Sequence, residues 1–366
     1  MKKSRSRKGG SASAVMARVN AQMGSELLTL ASDPRWKIER IPSGSLVIDR
    51  VTAGGFPRGR HIELYGDYHG CKSTVAYRTL ALAQSRGEVC VVIDPEGSFD
   101  EAYFQFLGGD LDNLLIRRPK TAEEFIKLLM LLVQHDDENP AADVVLVDSV
   151  AALLPQEELA KDVEEGDDRT AGRARMMSRM LRRVTSQNDH TLILWTNQLI
   201  DKVGGYGGTT TPGGRALKHY ASVRIEFKRL DRNKKKRKTV KKGKIVEADT
   251  PVGHWVAVRA EKQKTARPEI EAMFLFDYER SRIDREYEII HLGVLDGLIT
   301  ATGKPTRYVY EDSDGQEWGG TEANFRKLLR DNTEMREELE WAIAENSKAI
   351  GVPPEDEDVE ADDGEE

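Results

Sequence analysis

The sequence predicts an α/β fold built on an open, mostly parallel sheet with helices on both faces. Three observations predict it. Short, continuously apolar runs recur along the chain, as expected for strands buried on both faces of a parallel sheet. Helix-period segments alternate with them over some two hundred residues. A glycine-bearing loop follows the first long apolar run and precedes a helical segment, the context in which backbone N–H groups cradle phosphate.

Each element has its own signal. The segment Met16 to Leu30 places Val19, Met23, Leu27 and Leu28 at helical spacing, which predicts a short amphipathic helix. Strands are predicted at His61–Tyr65, Val89–Ile93, Asn113–Ile116, Val144–Val147, Thr191–Trp195, Val223–Phe227, Trp255–Val258 and Ala272–Phe276. Helices are predicted at Lys72–Arg86, Thr121–Gln134 and Arg173–Gln187. The second of these opens with Thr121 and Glu124, the spacing of a capping box. Short elements at Ile289–Leu298 and Thr306–Tyr310, then helices near Glu322–Asn332 and Met335–Ser347, predict a small α/β appendage. No repeat of 20–50 residues is visible.

Composition bounds the function. The chain has 366 residues, beyond the roughly 250–300 at which one core stops growing, so a main domain with attachments is expected. Hydrophobic residues at 39% and charged residues at 32% exclude a fully disordered chain. Two cysteines, Cys71 and Cys90, exclude a disulfide scaffold and point to a reducing, cytoplasmic setting. No apolar run reaches the ~20 residues of a membrane span. The basic N-terminus is not followed by the apolar stretch of a signal peptide.

The net charge of −7 conceals a segregation. Residues Glu355 to Glu366 hold nine acids and no base, and the rest of the chain is +2. Lys228 to Lys244 holds eleven bases against Asp231. A basic block with an acidic tail suggests a polyanion partner and an internal mimic of it. A solvated loop with a solubility tail is the plain alternative.

The phosphate-loop candidate is Gly66-Asp67-Tyr68-His69-Gly70-Cys71-Lys72-Ser73-Thr74. Lys72 is placed to reach phosphate and Ser73 to bind Mg²⁺. The strict pattern has glycine where Cys71 stands, with Gly70 one place earlier. Either the loop tolerates Cys through altered backbone angles or nucleotide affinity is weakened; a plain glycine-containing turn is the competing reading. A thiol at a helix N-terminus beside Lys72 is expected to have a lowered pKa. Asp148 ends the apolar strand Val144–Val147 and is a candidate Mg²⁺ ligand, or simply a helix cap. Glu96 lies just past another strand end, where a carboxylate orients and deprotonates water, or where a surface Glu sits in a turn. Gln198 closes Trp195-Thr196-Asn197-Gln198, either sensing a ligand or satisfying nearby backbone. The Gly- and Thr-rich run Leu199 to Gly214 reads as a loop, with Tyr206 placed to stack on a base or sitting there incidentally. A polar loop at Ala160 to Ala171 precedes Arg175, Arg182 and their neighbours, which suit a phosphate track or a solvated face.

Together these residues resemble the bacterial and phage RecA family of DNA strand-exchange recombinases. The resemblance runs from about Val15 to Lys348. Its most specific stretches are Asp148-Ser149-Val150-Ala151-Ala152-Leu153, Ala174-Arg175-Met176-Met177-Ser178 and Gly213-Gly214-Arg215-Ala216-Leu217-Lys218-His219-Tyr220-Ala221-Ser222-Val223-Arg224. Tyr65-Gly66, Asp94-Pro95-Glu96 and the acidic tail also fit. The resemblance implies a P-loop NTPase core at 40–283, a polymerisation arm within 1–39, a small domain at 284–350 and an acidic tail at 351–366. It implies an ATP- and Mg²⁺-dependent filament of many copies on single-stranded DNA, pairing that strand with homologous duplex. It implies that Lys72 and Ser73 bind phosphate and Mg²⁺, Asp148 supports the metal, Glu96 is the general base and Gln198 reports the γ-phosphate. By the same resemblance Asp100 and Tyr103 contact adenine, and Lys262 and Lys264 reach ATP across a subunit interface. Arg175, Arg182, Gly213 and Gly214 match DNA-contacting positions. Cys71, a short glycine-rich loop after Gln198 and the basic insert Lys234–Lys244 depart from the family pattern. They leave room for a weakly hydrolysing DNA-binding filament, or for a related ATPase with another substrate.

Overall fold

The first described helix, α1 (Ala12–Met23), starts where Ser11 Oγ accepts the N–H of Ala14 at 3.2 Å and stops where Gly24 turns left-handed at φ +66°. Its span is displaced from the expected Met16–Leu30, because the cap and the left-handed glycine outrank the apolar spacing. It buries none of its residues. The computed structural model describes residues 11–24, 28–134, 141–149, 169–201, 209–212, 214–241 and 244–350. Two compact units result, Met1–Glu39 and Arg40–Glu366.

The second unit runs β1 (Arg40–Ile41), α2 (Leu46–Val51), β2 (Phe56–Pro57), β3 (His61–Gly66), α3 (Lys72–Gln84), β4 (Cys90–Ile93), α4 (Glu101–Phe106), β5 (Leu114–Arg117), α5 (Ala122–Val133) and β6 (Val144–Val147). It continues through α6 (Arg169–Gln187), β7 (Leu192–Gln198), β8 (Ile200–Asp201), β9 (Thr209–Thr210), α7 (Gly214–Tyr220), β10 (Val223–Lys241), β11 (Lys244–Gln263), β12 (Glu271–Asp277) and β13 (Arg282–Ile283). It ends with α8 (Arg285–Leu295), β14 (Thr300–Thr302), β15 (Arg307–Glu311), β16 (Glu317–Thr321), α9 (Glu322–Asp331) and α10 (Thr333–Ala349).

Nine strands form one sheet in the order β13-β12-β11-β10-β3-β7-β6-β4-β5. The stretch from β10 to β5 is parallel, and β11, β12 and β13 extend it antiparallel. Strand parity divides the core. Ile62, Leu64, Val92, Leu146 and Leu194 pack with Val75 and Leu80 of α3 on one face. Val91, Ile93, Val145, Ile193 and Trp195 pack with Phe125 of α5 and Leu181 of α6 on the other. The first cluster runs on into Ile289, Phe325, Leu329 and Leu339, so the C-terminal segment shares it.

The continuous apolar runs hold as strands, but their limits move. β7 reaches Gln198, three residues past the expected Trp195, because the polar residues there keep pairing with β3. β10 and β11 far exceed the expected Val223–Phe227 and Trp255–Val258. The lysine-rich segment continues as an antiparallel ribbon, its pairing overriding the low strand preference of Lys. Ile289–Leu298 lies mostly inside α8, which Asp284 caps by accepting the Tyr287 N–H. α6 begins at Arg169, within the expected polar loop Ala160–Ala171. On α5, Thr121 caps Glu124 N–H at 3.1 Å, while the Glu124 carboxylate accepts from Lys120 rather than from Thr121.

At the start of β3, fully buried His61 accepts from Trp195 Nε1–H at Nδ1 (3.2 Å), so its proton sits on Nε2, which faces Thr185 Oγ1 at 3.0 Å. Burial first, then the Lys264 charge, lowers its pKa to about 4. The folded state therefore takes up a second, charging proton less readily than the unfolded chain, whose value is 6.5. That stability is present above pH 6.5 and is lost as pH falls toward about 4, on the order of 3 kcal/mol. Urea midpoints between pH 7 and 4 should show this loss, and His61→Gln should flatten that part of the profile.

Candidate functional site

The C-terminal ends of the parallel strands carry the polar residues. β3 ends at Gly66, with φ +141° and a backbone so close to β10 that a Cβ would lie 2.0 Å from Phe227 O. No side chain fits there. The loop is pinned to β10: Asp67 N–H donates to Phe227 O at 3.0 Å, and Asp67 Oδ2 accepts from Arg229 N at 3.1 Å. It closes on Gly70 N–H to Asp67 O at 3.2 Å.

Cys71 is the N-cap of α3 and is left-handed, with φ +66° and ψ +19°. It holds the conformation that glycine supplies at no steric cost, at an expense of about 1–2 kcal/mol for a residue with a Cβ. Burial offsets part of that. The side chain joins the core cluster, and Sγ lies 3.8 Å from His254 Nε2. His254 Nε2 also approaches His69 O at 2.9 Å, bracing the other left-handed residue of the loop, His69 at φ +59°. The expected activation of the thiol is overturned: burial outweighs the Lys72 and Arg229 charges and pushes Cys71 up to about 12. Burial likewise pushes Cys90 up to about 12.

Lys72 Nζ donates to Gly66 O at 3.1 Å and Asp67 O at 2.6 Å, so the ammonium lies over the loop. Burial lowers its pKa, against the Asp148 and Asp67 charges. Ser73 Oγ donates to Asp148 Oδ2 at 3.3 Å. Thr196 Oγ1 donates to Asp148 Oδ1 at 2.6 Å. Burial, helped by the nearby charges of Glu96 and Asp94, raises the Asp148 pKa against these hydrogen bonds. The Ser73 hydroxyl beside the Asp148 carboxylate is a hard-oxygen pair suited to Mg²⁺, and the Lys72 ammonium at the helix N-terminus suits phosphate. The residues fit both.

Glu96 and Ser149 are joined by a hydrogen bond from Ser149 Oγ to Glu96 Oε1. Buried Asp94 shapes the turn that presents Glu96, accepting from Gly97 N, Ser98 N and Phe99 N at 2.7, 3.1 and 3.0 Å. Arg118 Nη2 holds the Glu96 carbonyl at 3.2 Å. Gln198 sits at the end of β7, paired in register with Gly66. Beyond it, β8 and β9 pair through Ile200↔Thr210 and Asp201↔Thr209, closing the base of the loop.

A buried network behind this rung has no counterpart in the motif reading. Asn197 Nδ2 donates to Glu63 Oε1 at 2.9 Å and to Pro212 O at 3.1 Å. Arg224 Nε donates to Glu63 Oε2 at 2.6 Å, and its guanidinium also meets Glu261 and covers the Tyr65 ring at 4.4 Å. Glu63 is fully buried. The available signal is a Glu inside the apolar strand His61–Tyr65 and an Arg inside Val223–Phe227.

The remaining predicted residues fall as follows. Asp100 caps α4 by accepting Tyr103 N–H at 2.9 Å, and Tyr103 Oη meets Thr74 Oγ1 at 2.9 Å, beside the loop. Tyr68 and His69 are exposed at the loop tip. Lys262 Nζ donates to Lys218 O and His219 O at the end of α7, and Lys264 is exposed just past β11. Arg175 and Arg182 are exposed on α6, seven residues apart and opposite the buried Met177, Met180, Leu181 and Val184. Gly214 opens α7. Tyr206, Gly213 and the acidic tail lie outside the described residues.

A mostly parallel sheet with a phosphate loop at the end of β3, and with carboxylates just past β6 and β4 at the same edge, defines a P-loop nucleotide-binding protein. Residues 11–280 match the family model described as the RecA N-terminal domain. The chain is 38% identical over 351 residues to the protein RecA of Paenarthrobacter aurescens (strain TC1), covering 94% of each. It is 37% identical over 354 residues to that of Arthrobacter sp. (strain FB24), covering 95% of this chain and 94% of the relative. It is 37% identical over 333 residues to that of Acidothermus cellulolyticus, covering 90% and 89%. The chain belongs to the RecA family of ATP-dependent DNA recombinases. Among the described residues no helix is long and apolar enough to cross a membrane.

Because the loop already holds the left-handed angle, Cys71→Gly should leave nucleotide affinity within about threefold of the wild type, read by fluorescent-nucleotide titration. In the folded protein neither thiol should react with iodoacetamide at pH 8, whereas both should react in denaturant.

Proposed function

We propose that this protein forms a filament on single-stranded DNA and catalyses homologous pairing and strand exchange with duplex, driven by DNA-stimulated ATP hydrolysis. The observation that carries the proposal is the register Gly66↔Gln198, which sets the phosphate loop and the root of the following loop on one rung of the sheet.

Each residue then has a task. Bound Mg²⁺-ATP supplies a phosphoanhydride with a good leaving group. Gly66 to Thr74 bind and orient the phosphates, with Lys72 Nζ turning from the loop carbonyls toward negative charge. Ser73 Oγ and Asp148 hold the metal. Glu96, with Oε1 held by Ser149, is the general base and accepts the proton of the attacking water at Oε2. Asp94 positions Glu96. Asp100 and Tyr103 contact the adenine. Gln198 senses the γ-phosphate and passes its position to the loop containing Tyr206. Arg175, Arg182, Gly213 and Gly214 contact DNA, with Tyr206 as a stacking platform. Lys262 and Lys264 reach the nucleotide of a neighbouring copy. Residues 1–39 serve polymerisation, 40–283 form the ATPase core, 284–350 a small accessory domain and 351–366 an acidic tail. A cytoplasmic location, where a DNA substrate is met, belongs to this reading.

Cys71 motivates a second reading, a DNA-binding filament that hydrolyses weakly. Steady-state ATPase assays separate the two. The first reading expects turnover that rises with single-stranded DNA and falls at least about a hundredfold in Glu96→Ala, the scale of general base catalysis. Negligible DNA-stimulated turnover in the wild type, restored by Cys71→Gly, would establish the second.

A further inference from the structure

A cavity of about 440 Å³ lies between α3 and α4 on one side and β13, α8, α9 and α10 on the other. Of the phosphate-loop residues only Thr74 reaches it, and neither Lys72, Ser73, Asp100 nor Tyr103 lines it. Five arginines line it against three glutamates, an excess of two positive charges. The acids are already engaged. Glu340 Oε1 accepts from Arg285 Nε at 2.9 Å. Glu286 is held by Arg280 Nη1 at 2.9 Å and meets Arg330 at 3.4 Å. Fully buried Glu288 accepts from Ser45 Oγ. Arg78, Arg282 and Arg336 have no carboxylate partner among the described residues.

The fold holds Arg78 in this field. Its stem crosses Gly44 so closely that a Cβ there would lie 2.2 Å from Arg78 Cγ, and its Nη1 donates to Leu107 O at 2.7 Å. Burial lowers its pKa, and the Arg285 and Arg282 charges lower it further, against Glu340. A cluster of like charges without counter-charge is unfavourable, and an anion between them relieves it. The apolar part of the lining includes Phe106, which is exposed and stacks on Tyr103 at 6.2 Å and 12°. Its other face is open to a second ring.

We propose that this cavity is a second ligand site, separate from the phosphate loop, for a nucleoside monophosphate. Arg78, Arg282 and Arg336 take the phosphate, since guanidinium matches phosphate geometry, and Phe106 stacks on the base. A phosphate monoester carries roughly two negative charges at neutral pH, equal to the excess here. The volume falls within the range of about 300–1,000 Å³ usual for small-molecule sites.

The test titrates N-methylanthraniloyl-labelled AMP against the full chain by fluorescence anisotropy, with unlabelled AMP, adenosine, ribose 5-phosphate and inorganic phosphate as competitors. AMP should compete at least about tenfold better than adenosine or inorganic phosphate, and better than ribose 5-phosphate. R282S/R336S should weaken probe binding about tenfold or more, the scale of hydrogen bonds to a charged group. Phe106→Leu should weaken it about fivefold or more, the scale of lost base stacking, and leave competition by inorganic phosphate unchanged. The charge-matched control R307S/K327S, outside the cavity, should bind as wild type, and thermal melting checks that each variant folds. Lys72→Ala, which disables the phosphate loop, should leave probe binding unchanged while ATP binding falls. Loss of probe binding in Lys72→Ala would place the ligand in the phosphate loop and overturn the proposal. Equal loss in the control, no loss in R282S/R336S, or adenosine or ribose 5-phosphate competing as well as AMP would overturn it too. None of these titrations depends on DNA-stimulated turnover, so failure of the recombinase reading and failure of this site are read separately.

Discussion

The structure depends on β3 and β7 lying side by side and parallel. Parallel neighbours bring their C-terminal ends to the same edge of a sheet, where ligands bind in open α/β folds. Here that adjacency sets Gly66 against Gln198, with Asp148 at the end of β6 and Glu96 just past β4 beside them. The rung is held from within by the Glu63–Arg224 pair and the Asn197 amide, all buried. Removing one partner of such a pair typically costs about 3–5 kcal/mol, because the other is left charged and unpaired. The same network reaches Pro212, where the chain returns from the loop, so both ends of that loop are tied to the strands that carry the phosphate loop.

The cysteine in the phosphate loop shows how a departure from pattern is absorbed. Glycine is favoured at that position for its backbone angle, and Cys71 adopts the angle anyway. The strain of a Cβ in the left-handed region is set against apolar burial and against the bracing of His69 by His254. The same burial that helps the fold raises the thiol's pKa and so favours its protonated form, and local charge does not reverse it.

Much of this was legible because it depends on local composition. Val144–Val147 and His61–Tyr65 are apolar runs with one functional residue at the tip, and they form the strands their composition implies. Lys72, Ser73, Asp148 and Glu96 converge because the topology brings strand ends together. What the sequence hid were properties set by partners. The length of β10 comes from pairing with β11, which no propensity of a lysine run suggests. The start of α1 was set by Ser11 rather than by apolar spacing. The Cys71 pKa follows from how deeply the side chain packs, and nearby Lys72 pointed the wrong way. Glu63 and Arg224 lie on different strands some 160 residues apart, and only the fold shows that they meet.

The central claim is that nucleotide at the Gly66 loop and DNA at the following loop are coupled through the β3–β7 rung. The most direct measurement is the affinity for single-stranded DNA with and without a slowly hydrolysed ATP analogue, in the wild type and in Gln198→Ala. The account predicts that the analogue tightens binding in the wild type by about tenfold or more, the scale of a 1.4 kcal/mol coupling, and has little effect in Gln198→Ala although nucleotide still binds. Undiminished analogue-dependent tightening in Gln198→Ala would contradict it.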